Sequence, residues 1–192
     1  MEGKTGSGPW IRVIEPARAE GRLAEVYRDI AGKRGRIAAV HAIQSLHPEA
    51  LKAHMDLYLE LMFARSPLAR RERELIGVAV SRTNGCAYCV RHHAEALARH
   101  ERRPARVEAA CDGRWDDLEP RDAALCRHAE KLTRTPGLVT ESDVEALRAA
   151  GLDDAGILAA TEVAAYFNFV NRLVLGLGVR LEEPADREGF RY

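Results

Sequence analysis

The sequence predicts an all-α fold of about seven or eight helices, because apolar residues recur at intervals of three and four along most of the chain. No segment alternates apolar and polar residues with the period of two that a strand requires. The Asn84-Gly85 pair, which would mark a hairpin between strands, lies between two helical patterns and so reads as a helix-to-helix turn. No repeat of fixed length is present.

The elements follow in order. Residues 1–14 are expected to be a flexible leader, since the first nine are rich in Gly, Ser and Lys. Glu20 to Ala31 places Leu23, Val26, Tyr27 and Ile30 on one helical face, and Gly32 to Gly35 ends it. A second apolar pattern runs from Ile37 to Leu46, where His47-Pro48 interrupts it; Pro48 suits the first turn of the next helix, which runs to Ala64. Ser66 is the expected cap of a fourth helix with Pro67 at its first position. That helix is charged through Glu74 and apolar on all sides from Leu75 to Val80, the pattern of a helix entering a core.

Thr83-Asn84-Gly85 breaks it, and residues 86–100 resume with helix formers. Short or amphipathic helices are expected at 104–111 and 120–132. Thr140 followed by Asp143 has capping-box spacing, Gly151 closes that helix, and Asp153 or Asp154 caps a final one from about Ala155 to Leu177. Residues 15–181 read as one helical domain and 182–192 as a charged tail.

Composition limits the function. Of 192 residues, 29 are basic and 29 acidic, for a formal net charge of +0, which favours neither nucleic acid nor an anionic membrane as a partner. No apolar run is long enough to span a bilayer and no secretory signal is evident, so the expected compartment is the cytoplasm. In that compartment the four cysteines are expected to be catalytic, metal-binding or buried thiols rather than a disulfide framework.

The chemistry concentrates in Asn84-Gly-Cys-Ala-Tyr-Cys-Val-Arg-His-His93. If Cys86 starts a helix, Cys89 lies about 60° from it around the axis and His93 about 20°, so the three share a face, with His92 at its edge. A thiol at a helix start meets unpaired backbone N–H groups that favour the thiolate. His93, four residues after Cys89, is in reach as a base. The same three side chains could ligate zinc, although Cys111 and Cys126 stand alone and supply no second ligand pair. Glu74, where its helix turns apolar, reads by itself as a surface acid paired with Arg70, Arg71 or Arg73. The remaining histidines read as surface or packing residues, and Asn168, Asn171 and Arg172 as polar positions on an apolar helix that satisfy core hydrogen bonds or oligomer contacts.

Glu74, Cys86-x-x-Cys89 and His93, at these spacings, resemble the active-site signature of the AhpD-like alkylhydroperoxidases of the carboxymuconolactone decarboxylase superfamily. Ser81-x-x-Asn84-x-Cys86-x-Tyr88-Cys89-x-x-His92-His93 and Ala165-Tyr-Phe-Asn-Phe-Val-Asn-Arg172 resemble its peroxidase-related branch more closely. The resemblance implies an AhpD-like multihelical bundle that assembles as a homo-oligomer, a trimer or hexamer. It implies a thiol peroxidase acting on hydrogen peroxide or organic hydroperoxides without a cofactor or metal. Cys89 would be the attacking thiolate, Cys86 the more exposed resolving thiol, and Glu74 and His93 the proton relay. An external dithiol, such as a lipoylated protein, would reduce the resulting disulfide. Tyr88 stands where founding members carry a relay histidine; with a pKa near 10 its phenol is a weaker base than imidazole, which makes Tyr88 and His92 candidate relay members.

Overall fold

A computed structural model describes residues 8–183. The described chain is helical throughout, with no strand, and its nine α-helices are one or two more than the periodicity predicts. They are α1 (Gly21–Arg34), α2 (Ala39–Ala42), α3 (Pro48–Phe63), α4 (Arg70–Thr83), α5 (Ala87–Ala98), α6 (Pro104–Asp112), α7 (Pro120–Arg134), α8 (Glu141–Ala149) and α9 (Asp154–Gly176). Two compact units divide the chain, one comprising residues 1–57 and 172–192 and the other Tyr58–Asn171.

In the first unit, Leu23, Val26, Tyr27 and Ile30 of α1 are all buried, as their spacing predicts. The apolar run at 37–46 forms only the single turn α2. Beyond it the backbone continues through i to i−3 bonds, from Gln44 N–H to His41 at 3.1 Å and from Ser45 N–H to Ala42 at 3.0 Å. Residues 10–14, grouped with the leader by composition, are bonded into this unit. The Trp10 N–H donates to the Leu177 carbonyl at 3.0 Å, and the Ile14 N–H donates to Ser45 Oγ at 2.9 Å. The expected leader at 1–7 and most of the charged tail, residues 184–192, lie outside the described residues.

The second unit is built on α4, which packs against α5, α6 and α7. Leu75, Ile76, Val78, Ala79 and Val80 are each at most 2% exposed. Burial of a side chain the size of Leu, Ile or Val is worth about 1.5–3 kcal/mol, so this half of α4 anchors the unit. The helix starts at Arg70, four residues after the expected cap. Ser66 Oγ accepts only the Leu68 N–H, at 3.2 Å, and Glu72 satisfies the Ala69 N–H at 2.8 Å. Arg73 explains the delay, because its guanidinium closes the end of α3 by donating to the carbonyls of Leu61 and Ala64 at 3.1 Å each.

Two later start signals behave as predicted. The Thr140 N–H donates to Asp143 at 2.7 Å, and Asp153 accepts the Gly156 N–H at 2.8 Å.

Candidate active site

The turn between α4 and α5 positions Cys86. Gly85 has φ +70°, a left-handed conformation that costs glycine little, and its N–H donates to the Arg82 carbonyl at 3.0 Å. The Cys86 N–H donates to the Ser81 carbonyl at 2.9 Å, so the two bonds together form a Schellman ending. The chain then re-enters a helix at once, with Cys86 as the N-cap of α5 and Cys89 in its first turn. The helical-face argument therefore holds for Cys89 and His93, while Cys86 occupies the cap rather than the first helical position.

Both thiols are buried, Cys86 at 0% and Cys89 at 2% exposure, so the expected greater exposure of Cys86 is absent. They are free thiols in hydrogen-bond contact. Cys86 accepts the Cys89 S–H and, despite burial, also the backbone N–H groups of Cys89 and Tyr88, which together hold its pKa below the usual thiol value. Donating to Cys86 pushes Cys89 the other way, burial and the Cys86 charge add to this, and only a side-chain bond from Asn171 opposes them. The pair behaves as one acid whose remaining proton rests on Cys89.

Glu74 lies beneath α5 and is fully buried. Its Oε2 is 2.7 Å from His93 Nδ1, and its Oε1 accepts from Arg70 Nε at 2.9 Å and also from Arg70 Nη2. Burial alone would raise this carboxyl, but His93 and then Arg70 outweigh it and hold the group below the ordinary glutamate value. The surface ion pair is thus half right: Arg70 is the partner, but the acid is buried, with its second oxygen on His93. With Nδ1 directed at Glu74, His93 has Nε2 available for a proton, the arrangement of a histidine oriented as a base.

Gly77 makes room for this contact. A Cβ there would stand 2.9 Å from Phe167 Cε2 and 3.3 Å from His93 Cγ. The His93 and Phe167 rings meet edge to face at 4.3 Å, which fixes the imidazole plane.

Tyr88 and His92 are both buried and pack ring to ring at 4.6 Å, next to the thiols in sequence. Sequence reasoning missed Asn171 as a site residue. It is fully buried, accepts from Asn84 Nδ2 at 3.0 Å and donates to Ser81 Oγ at 3.2 Å. Asn168 accepts from the same Asn84 amide at 3.0 Å and donates to Thr133 Oγ1 at 2.9 Å. The signal was the polar pair three apart on an otherwise apolar helix, which periodicity cannot connect to a cysteine eighty residues earlier. Arg172 lies in the other unit. Among the described residues no group of three or more His, Cys, Asp or Glu side chains is arranged to hold a metal ion.

The arrangement is a buried pair of thiols at a helix start on an all-α scaffold, with an oriented histidine one turn further along the same helix. Comparison with known proteins then supplies the family. Residues 48–127 match the Carboxymuconolactone decarboxylase family. The fold matches an uncharacterised peroxidase-related protein from Ralstonia eutropha JMP134, described as an alkylhydroperoxidase AhpD core, with TM-score 0.82 and 27% identity over 93% of this chain and 95% of that one. A peroxidase-related protein from Silicibacter sp. TM1040 matches with TM-score 0.81 and 26% identity over 100% of both chains. The uncharacterised protein YdfG of Bacillus subtilis (strain 168) is 30% identical over 92 residues, 46% of this chain and 60% of its own length. The debrominase Bmp8 shares the fold alone, at 17% identity over 88% of this chain and 90% of its own, with TM-score 0.74. The family match and the two peroxidase-related structures together support assignment to the AhpD-like/carboxymuconolactone decarboxylase superfamily.

Proposed function

We propose that this protein is a thiol peroxidase that reduces hydrogen peroxide or organic hydroperoxides through a Cys86/Cys89 dithiol. The observation that carries the reading is the buried Glu74–His93 contact at 2.7 Å, which orients a base four residues beyond Cys89 on the same helix. His93 takes the Cys89 proton, and the Cys89 thiolate attacks the O–O bond. One oxygen becomes the sulfenic acid, and the leaving alkoxide or hydroxide takes the proton from His93. Cys86 then attacks the Cys89 sulfur, expelling water and forming the Cys86–Cys89 disulfide. An external dithiol restores the pair by exchange and is itself oxidised to a disulfide. A lipoylated protein has the dithiol chemistry this step needs.

A second reading, a general thiol–disulfide oxidoreductase or redox sensor with weak peroxidase activity, draws on the donors gathered around Cys86, which equip that thiol to attack a disulfide. Peroxide consumption with dihydrolipoamide as reductant separates the two. Wild type is expected to outpace Cys89→Ser by at least about a thousandfold; equal rates would leave only the oxidoreductase reading. Trapping of sulfenic acid on Cys89 in Cys86→Ser is expected, and trapping on Cys86 in Cys89→Ser instead would exchange their roles.

A trimeric or hexameric assembly, and a reducing cytoplasmic setting that keeps the dithiol reduced between turnovers, complete the proposal. Light scattering on the purified protein tests the assembly. Among the described residues no helix is long and apolar enough to cross a membrane.

A further inference from the structure

Cys86 stands where two helices meet, so its position depends on how firmly the turn from Ser81 to Cys86 is held. Within the turn the Asn84 N–H donates to the Val80 carbonyl at 3.0 Å and the Cys86 N–H to the Ser81 carbonyl at 2.9 Å. Gly85 between them is exposed and left-handed, and glycine loses more conformational freedom on ordering than any other residue. Bonds from outside the turn offset that cost.

α9 supplies them. Asn84 Nδ2 carries two hydrogens, and it donates to Asn168 Oδ1 and to Asn171 Oδ1, each at 3.0 Å. Asn171 Nδ2 returns to the same turn and donates to Ser81 Oγ at 3.2 Å. Asn171 therefore grips the turn on both sides: at Ser81, whose carbonyl holds the Cys86 N–H, and at Asn84, two residues before Cys86.

The direction of the network is set by a group that can only accept. Asn168 Nδ2 donates to the Ala164 carbonyl at 3.0 Å and to Thr133 Oγ1 at 2.9 Å, which turns its oxygen toward Asn84. Ser81 and Asn171 are each 0% exposed, where a polar group stripped of its partner is costly.

We propose that Asn84, Asn168 and Asn171 form a carboxamide clamp that fixes Cys86 at the cap of α5, so that Cys89 meets a preplaced partner when the disulfide closes. They are positioning residues, acting on Cys86 through the backbone of the turn. Two thiols held in place lose little freedom on bonding, so the clamp favours the disulfide. The proposal rests on the reading that Cys86 and Cys89 cycle between dithiol and disulfide.

Equilibrium with dithiothreitol tests it. Oxidised dithiothreitol breaks its S–S bond and takes two electrons and two protons from the pair, whose S–H bonds give way to one S–S bond. Alkylation and mass analysis of the peptide carrying both cysteines give the two fractions. Asn84→Ala removes both donations to α9 and is expected to lower the equilibrium constant for disulfide formation about tenfold, or about 30 mV. Asn84→Asp sets a carboxylate against two amide oxygens and is expected to lower it further. Cys126→Ala loosens the core at α7 instead and is expected to leave the constant in place. A constant unchanged in both Asn84 variants, or lowered equally in Cys126→Ala, would overturn the proposal.

Hydrogen exchange at the Cys86 amide reads the clamp without a redox step. In the reduced proteins it should be about tenfold faster in Asn84→Ala than in wild type, and an unchanged rate would refute the clamp. A wild type that forms no Cys86–Cys89 disulfide at any ratio of oxidised to reduced dithiothreitol would instead overturn the proposed reaction, while the exchange rates still decide whether α9 holds Cys86.

Discussion

Cys86 and Cys126 are both 0% exposed, yet burial has opposite consequences for them. Cys126 lies within α7, where burial and then the nearby Asp122 charge push its thiol well above the ordinary value. Cys86 caps α5, where the Cys89 S–H and two backbone N–H groups more than offset burial and bring its pKa down. The opposite pKa directions of the two thiols thus follow from donors at a helix start rather than from exposure. The histidines repeat the contrast. His54, buried on α3 beside Gln44 Nε2 at 2.7 Å, has its pKa lowered by burial to about 4, while His93 is held against the buried Glu74.

The largest expected effect that sharpens this contrast comes from the relay acid. Glu74→Gln should lower kcat/KM for hydroperoxide by about a hundredfold. The Arg70 charge, only 16% exposed at its side chain, would lose its partner, so the melting temperature should also fall. An unchanged rate would remove the relay from the mechanism.

Next is acid stability. Glu74 has a folded-state pKa below its unfolded value, so its ion pairs stabilise the protein fully above about pH 4.5 and progressively less as pH falls below that. His54, lowered to about 4, is neutral in the fold and charged in the unfolded chain below about 6.5, so it too favours the fold at higher pH. Stability should begin to fall as pH drops below about 6.5 and fall more steeply below about 4.5. In Glu74→Gln the steeper segment should be reduced, which chemical denaturation across this range would show.

A smaller effect is expected at Gly77. Gly77→Ala places a methyl group 2.9 Å from Phe167 and 3.3 Å from the His93 ring, so overpacking of about 1–3 kcal/mol should accompany a several-fold loss of activity. A loss of stability with full activity would mean that the His93 plane does not matter. Cys126→Ala should have the smallest functional effect, within about twofold of wild type, with about 1–2 kcal/mol lost from the core. Thiolate absorbance near neutral pH should persist in Cys126→Ala and disappear in Cys86→Ser; the reverse result would invert the contrast between the two thiols.

Much of this was legible in the chain because helix periodicity, caps and short spacings are local. The α1 face, the Thr140–Asp143 box, the Asn84-Gly85 turn and the i, i+4 relation of Cys89 to His93 all depend on neighbours within a few residues. Where tertiary contacts competed with local preference, the sequence misled. Arg73 closes α3 and delays α4 to Arg70 despite the Ser66-Pro67 signal, and the run at 37–46 gives only one helical turn.

The sequence by itself determined the all-α class, the thiol pair at a helix start and the shared face of Cys89 and His93, since side chains on one short helix share a face whatever surrounds them. Only the tertiary structure decided that Glu74 is buried with one oxygen on Arg70 and the other near His93. It also decided that donors gather at Cys86 and lower its pKa while that of Cys89 rises. Desolvation and hydrogen-bond geometry depend on every element packed around a group, and Glu74, His93 and Phe167 meet only when α4, α5 and α9 come together.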